Sequence, residues 1–99
     1  MHQIYVTGHA LERYREHFPG ASSDDVLDSL SAARRIETDE AMIIIAKPGK
    51  ERNRAIFFVE KEYNGMFIIS TDEEEPWPVA SYLRFSDTRQ KFARKFLEE

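Results

Sequence analysis

Ala41-Met42-Ile43-Ile44-Ile45-Ala46-Lys47 holds the longest apolar run in the sequence, and its reading decides the fold. Apolar residues at every position, rather than at every third or fourth, fit a strand buried on both faces. The run is read as the central strand of a sheet, so Ile44→Asp is expected to unfold the domain by burying an unpaired charge. It is far short of the roughly 20 residues that cross a bilayer. Met1-His2-Gln3-Ile4 has no signal-peptide character, so a soluble, cytoplasmic protein with no membrane association is expected.

Toward the C-terminus, Pro48 to Asn53 reads as a polar loop and Arg54 to Glu62 as the next strand. Tyr63-Asn64-Gly65-Met66 follows, and Asn-Gly between two β-rich runs predicts a two-residue type I′ hairpin turn. Counting back from that turn pairs Glu62 with Phe67, Glu60 with Ile69 and Phe58 with Thr71 on one face. Lys61 then pairs with Ile68 and Val59 with Ser70 on the other. Apolar residues fall on both faces, so both are expected to be covered. Asp72 to Pro78 combines four like charges with two prolines and reads as a surface loop. Val79 to Phe85 reads as one more strand, and Ser86 as the cap of a last helix that Phe92, Ala93 and Phe96 dock.

Toward the N-terminus, Ser22-Ser23-Asp24-Asp25 opens a helix with a capping-box pattern. Val26, Leu27, Leu30 and Ala33 form its apolar stripe, and Arg34 and Arg35 lie at its C-terminal end, where the dipole favours cations. Pro19-Gly20 ends an earlier helix that begins after Thr7, a candidate cap. Gln3 to Thr7 is a short β-branched run, read as a strand at or near a sheet edge. The order is β-α-α-β-β-β-(β)-α. Residues 1–99 are thus expected to form one α+β domain, with an antiparallel sheet of about four strands, two N-terminal helices and one C-terminal helix.

The chain has no cysteine, which removes disulfides and thiolate ligands and agrees with a reducing compartment. Its net charge of −4 is unevenly distributed. Asp72 to Glu75 is a run of acids, while Arg84, Arg89, Lys91, Arg94 and Lys95 form a basic C-terminal stretch. That stretch is either a solvated helix face or an RNA-binding surface, since phosphate responds to the local field and not to the net charge.

The helix from Gly8 to Phe18 carries the candidate chemistry. At about 100° per residue, Leu11, Tyr14 and Phe18 share one side, and His9, Arg13, Glu16 and His17 share the other. Such a face is also what an ordinary solvated helix presents. His9 and His17 are eight residues apart, about 12 Å along a helix axis, whereas two ligands of one metal want i, i+3 or i+4 spacing. No metal and no cofactor are expected. No serine sits in a strand-to-helix elbow, and no glycine-rich phosphate cradle is present. What remains is metal-free acid/base chemistry, for which histidine is the natural group near neutral pH. RNA cleavage of this kind needs a base for the 2′-hydroxyl, a cation for the phosphate and an acid for the leaving oxygen. His9 or His17 would exchange the protons and Arg13 would hold the phosphate, with Lys47, Arg54, Thr71 or Tyr82 contributing from the sheet.

His9-Ala10-Leu11-Glu12-Arg13, together with the order of elements, resembles the small barnase/EndoU/colicin/RelE-like domains. Within that group the chain is most similar to bacterial and phage domains that open with an H-A-x-x-R helix. The resemblance covers roughly Gln3 to Thr71. It implies helices preceding an antiparallel sheet, with His9 and Arg13 directed to the sheet's exposed surface. It also implies a metal-independent ribonuclease, or the toxin of a toxin–antitoxin pair with a cognate antitoxin as partner. The acidic balance departs from ribosome-dependent toxins, which are usually basic. A second expectation comes from the acidic run itself: an interaction module in which Asp72, Glu73, Glu74, Glu75 and Trp77 bind a protein partner.

Overall fold

In the computed structural model, described over residues 3–46 and 55–98, the chain runs β1 (Ile4–Val6), α1 (Gly8–Arg15), α2 (Ser23–Ser31), β2 (Arg34–Ile36), α3 (Thr38–Ile44), β3 (Ala55–Val59), β4 (Gly65–Ser70), β5 (Trp77–Arg84) and α4 (Asp87–Glu98). The strands form one sheet in the order β1-β5-β4-β3-β2. β1 lies parallel to β5, and every other pairing is antiparallel. This is one α+β domain, with a mixed five-stranded sheet in place of the expected antiparallel four and four helices in place of three.

The decisive correction concerns the apolar run. Thr38–Ile44 is helical, and the centre of the sheet is β4. Continuous apolar character does not separate a buried strand from a buried short helix, so the deciding signal lies upstream. Asp39 and Glu40 occupy the first turn, where the dipole favours acids. The Glu40 carboxylate accepts the Glu37 backbone N–H at 2.8 Å, closing the helix start. Ala46, at φ 59°, ends the segment. Lys47, the loop expected at Pro48 to Asn53, and Arg54 lie outside the described residues.

Both faces of the sheet are covered, as the alternation along β3 and β4 requires. On one face, Phe57, Val59, Met66 and Phe85 pack with Met42 and Ile44 of α3 and Ala93 and Leu97 of α4. On the other, Phe67, Ile69, Val79 and Tyr82 pack with Ala10 and Tyr14 of α1 and Val26 and Leu30 of α2.

Three further expectations are corrected. α2 stops at Ser31 with Ala32 as its C-cap, so Arg34 and Arg35 lie on the edge strand β2 and not on a helix end. The β3–β4 turn is longer than two residues: β3 ends at Val59, Val59 pairs with Met66 and Phe58 with Phe67, shifting the expected register. The Glu60 N–H donates to the Gly65 carbonyl at 2.9 Å and the Tyr63 N–H to the Glu60 carbonyl at 2.8 Å. Tyr63, not Asn64, takes the left-handed conformation at φ 60°. Last, Trp77 and Pro78 belong to β5 and not to the acidic loop. Trp77 N–H donates to the Gln3 carbonyl and Val79 C=O accepts from the Thr7 N–H, the two residues that flank β1. Pro78 lies between Trp77 and Val79, beyond the last β4 pair, Ile69 with Val79, so its missing donor interrupts no ladder bond.

The expected caps are present. Thr7 Oγ1 accepts from Ala10 N–H at 3.1 Å and donates to the Val79 carbonyl at 2.8 Å, which fixes the start of α1 against β5. Ser22 and Asp25 form the capping box of α2, and Ser86 Oγ accepts the Arg89 N–H at 3.2 Å at the start of α4.

Candidate functional site

α1 rests on β5 through Tyr14, whose ring meets Tyr82 edge-on at 5.1 Å and stacks with Phe18 at 4.6 Å. The inward side of the helix is thereby fixed, and His9, Arg13, Glu16 and His17 all face solvent. Arg13 approaches Glu16 at 3.9 Å, with both side chains about half exposed, an ion pair worth little in water. His17 sits in the turn after α1, its ring centroid 6.5 Å from that of Tyr82. Arg84, at the end of β5, holds its guanidinium 5.3 Å over the Phe18 ring. An imidazole and a guanidinium therefore flank one aromatic floor made by Tyr14, Phe18 and Tyr82.

Beneath that floor is the one charged residue buried among the described residues, Glu60. Alternation along β3 directs it to the α1/α2 face, beside Phe58. It accepts hydrogen bonds from the Tyr82 hydroxyl and, at 3.0 Å, from Ser29 Oγ of α2. Two charge-assisted bonds are what a buried carboxylate requires. Burial, and then the bond to Glu60, holds the Tyr82 phenol well above the usual tyrosine range. Burial likewise raises Tyr14, which senses both Glu60 and Arg84. Gly65 makes this possible, because a Cβ there would meet the Tyr82 hydroxyl and the Glu60 carboxylate. Its φ is not positive, so here glycine supplies space and not a turn conformation. Glu60, Ser29 and Gly65 were not among the residues expected from sequence. Glu60 closing an otherwise apolar strand was the available signal, hidden by the assumed hairpin register.

The other candidates are dispersed. Tyr82 is buried, 3% exposed, and engaged with Glu60. Thr71 lies just past the far end of β4, away from Arg84, which pairs with Gly65 at the near end. On α4, Arg94 is held by the β3–β4 turn, 3.3 Å from the Glu62 carbonyl and 5.4 Å over the Tyr63 ring. Lys91 and Lys95 are exposed, and Arg89 is half-buried. In the acidic loop, Asp72, Glu73 and Glu74 are exposed, while a Glu75 carboxylate oxygen accepts the Gln3 N–H at 3.3 Å. Trp77 is half-buried, and its indole N–H donates to the Glu73 carbonyl at 2.9 Å. Among the described residues no three histidine, aspartate or glutamate side chains gather in a metal-binding group, and no helix is long and apolar enough to cross a membrane.

No protein-family model matches the sequence, and comparison with curated proteins and with solved structures finds no match.

Proposed function

We propose that this protein is a cytoplasmic, metal-free RNA-directed domain of the ribonuclease or toxin type, acting by acid/base chemistry where α1 meets the end of β5. The observation that carries the reading is that His17 and Arg84, both exposed, are held against one rigid aromatic floor. The imidazole accepts the proton of a 2′-hydroxyl, and the guanidinium forks onto the phosphate. The 2′-oxygen then forms its bond to phosphorus as the bond to the 5′-oxygen breaks. Solvent at this open surface protonates the leaving group, giving a 2′,3′-cyclic phosphate and a 5′-hydroxyl. Glu60 and Tyr82 do not touch substrate in this scheme; they fix the floor. His9 and Arg13, along the same helix face, hold the flanking strand. A toxin of this kind is paired with a cognate antitoxin.

The test is RNA cleavage in EDTA, with analysis of the ends, alongside growth of cells expressing the intact gene. Wild type is expected to leave cyclic phosphates. His17→Ala and Arg84→Ala should each lose on the order of 100-fold or more, the usual size of one proton-transfer or charge-stabilising group. The competing reading is a partner-binding module acting through Asp72, Glu73 and Glu74. It gains ground if wild type neither cuts RNA nor slows growth and a partner is lost in Glu73→Gln/Glu74→Gln.

A further inference from the structure

α1 and α2, with 8 and 9 residues, are about 12 and 14 Å long. The five strands beneath them make a sheet about 19 Å across, so two short helices leave part of that face open. The opening is a cleft of about 320 Å³ toward the end opposite the β3–β4 turn. Leu27 and Leu30 of α2, Phe58 of β3, Ile69 of β4 and Trp77 of β5 wall it. Three of these, Leu27, Phe58 and Trp77, remain half-buried, a local apolar surface of the kind that ligand-binding grooves present. Two polar side chains reach the cleft. Ser31 is engaged within α2, donating to the Asp28 carbonyl at 2.7 Å. Arg35 of β2 is exposed, and its guanidinium has no hydrogen bond or ion pair among the described residues.

We infer that this cleft binds a small amphiphilic carboxylate, its apolar body lying along Phe58, Ile69 and Trp77 and its head group on Arg35. The volume sets the size: at ~30 Å³ for each water-sized unit, it holds about ten non-hydrogen atoms. The walls set the character, since apolar side chains offer nothing to satisfy a sugar or a nucleobase edge. The single planar cation sets the head group, because guanidinium matches a carboxylate with two parallel hydrogen bonds. A second protein copy is a poorer fit, because a stable interface covers about 800 Å² on each partner and this is a local hollow. The site is separate from the His17/Arg84 surface and stands or falls independently of the RNA reading.

Trp77 is the single tryptophan of the chain, so its emission reports the cleft directly. The experiment titrates decanoate, decanol and decylamine below their aggregation limits. Wild type is expected to show a saturable change in Trp77 emission with decanoate, at least tenfold tighter than with decanol, and none with decylamine. Arg35→Gln should remove the preference for decanoate while leaving the decanol response in place, and Arg35→Lys should keep most of it. Ala33, half-buried between α2 and β2, also lines the cleft, and Ala33→Leu, which fills it, should abolish both responses with the melting temperature retained. A decanoate response that does not saturate, that equals the decanol response, or that survives Arg35→Gln overturns the inference. Trp77 emission that changes with protein concentration alone would assign the cleft to a second copy and overturn it equally.

Discussion

A missing Cβ sets the chemistry around Glu60. Gly65→Ala forces the Tyr82 hydroxyl and the Glu60 carboxylate apart inside a packed layer, and overpacking of this kind costs about 1 to 3 kcal/mol. Tyr82→Phe withdraws one of the two hydroxyl donors from a buried carboxylate. The expected loss is about 1.5 to 3 kcal/mol, the range for hydrogen bonds to charged groups. Urea midpoints measure both. The same tyrosines impose an alkaline limit. Their phenols ionise at higher pH in the folded chain than in the unfolded one, so the unfolded state releases these protons first. The associated stability is fully present below pH ~10, the unfolded value. It is lost as pH rises above that toward the raised folded values. Midpoints measured from pH 8 upward should be flat and then fall, and Tyr82→Phe should soften the fall. A decline that begins near neutrality, or an unchanged slope in Tyr82→Phe, would contradict this assignment.

At the scale of elements, the largest correction is α3, helical where the sequence reads as a strand, and neighbouring substitutions separate the two readings. A strand buried on both faces would suffer equally from a charge at position 43 or 44. In the helix, Ile44 is 2% exposed and Ile43 is 44% exposed. Ile44→Asp should therefore unfold the domain, while Ile43→Asp should stay within about 0.5 kcal/mol of wild type. Thermal melts decide. α1 makes the opposite case, since its two sides followed directly from a 100° period. Tyr14→Ala should cost about 2 to 4 kcal/mol, and His9→Ala and Arg13→Ala about 0.5 kcal/mol or less. Amphipathic elements with local caps were thus legible: α1 from Thr7, α2 from Ser22 and α4 from Ser86. The parallel pairing of β1 with β5 and the register at Gly65 were not. Both depend on residues about 70 positions apart or on a turn whose left-handed residue is Tyr63, a type that gives no local cue. The site was legible to the same extent. The exposed cations and imidazoles stood out on a helix face, but the buried Glu60 emerges only once β3, β5 and α2 are packed together.

Across the whole molecule, charge is separated along the strands. Gly65 pairs with Arg84 at one end of β4, and Ile69 pairs with Val79 toward the other, next to the acidic loop. The six residues of β4 put about 20 Å between Arg84 and Asp72 to Glu75. The screening length at physiological salt is about 8 Å. The acidic loop Asp72 to Glu75 is therefore too distant to repel RNA from the His17/Arg84 end. Glu73→Gln/Glu74→Gln raises the net charge by two units, yet should leave RNA affinity within about twofold near 0.15 M salt. Its effect should grow near 0.01 M, where screening extends to about 30 Å. Arg84→Ala should weaken binding across sequences and reduce the dependence of log affinity on log salt by about one charge. Fluorescence anisotropy of a labelled single-stranded RNA over a salt series measures both. If the loop variant gained affinity at 0.15 M while Arg84→Ala lost none, the acidic loop would be the charged surface that matters, and the protein-partner reading would follow.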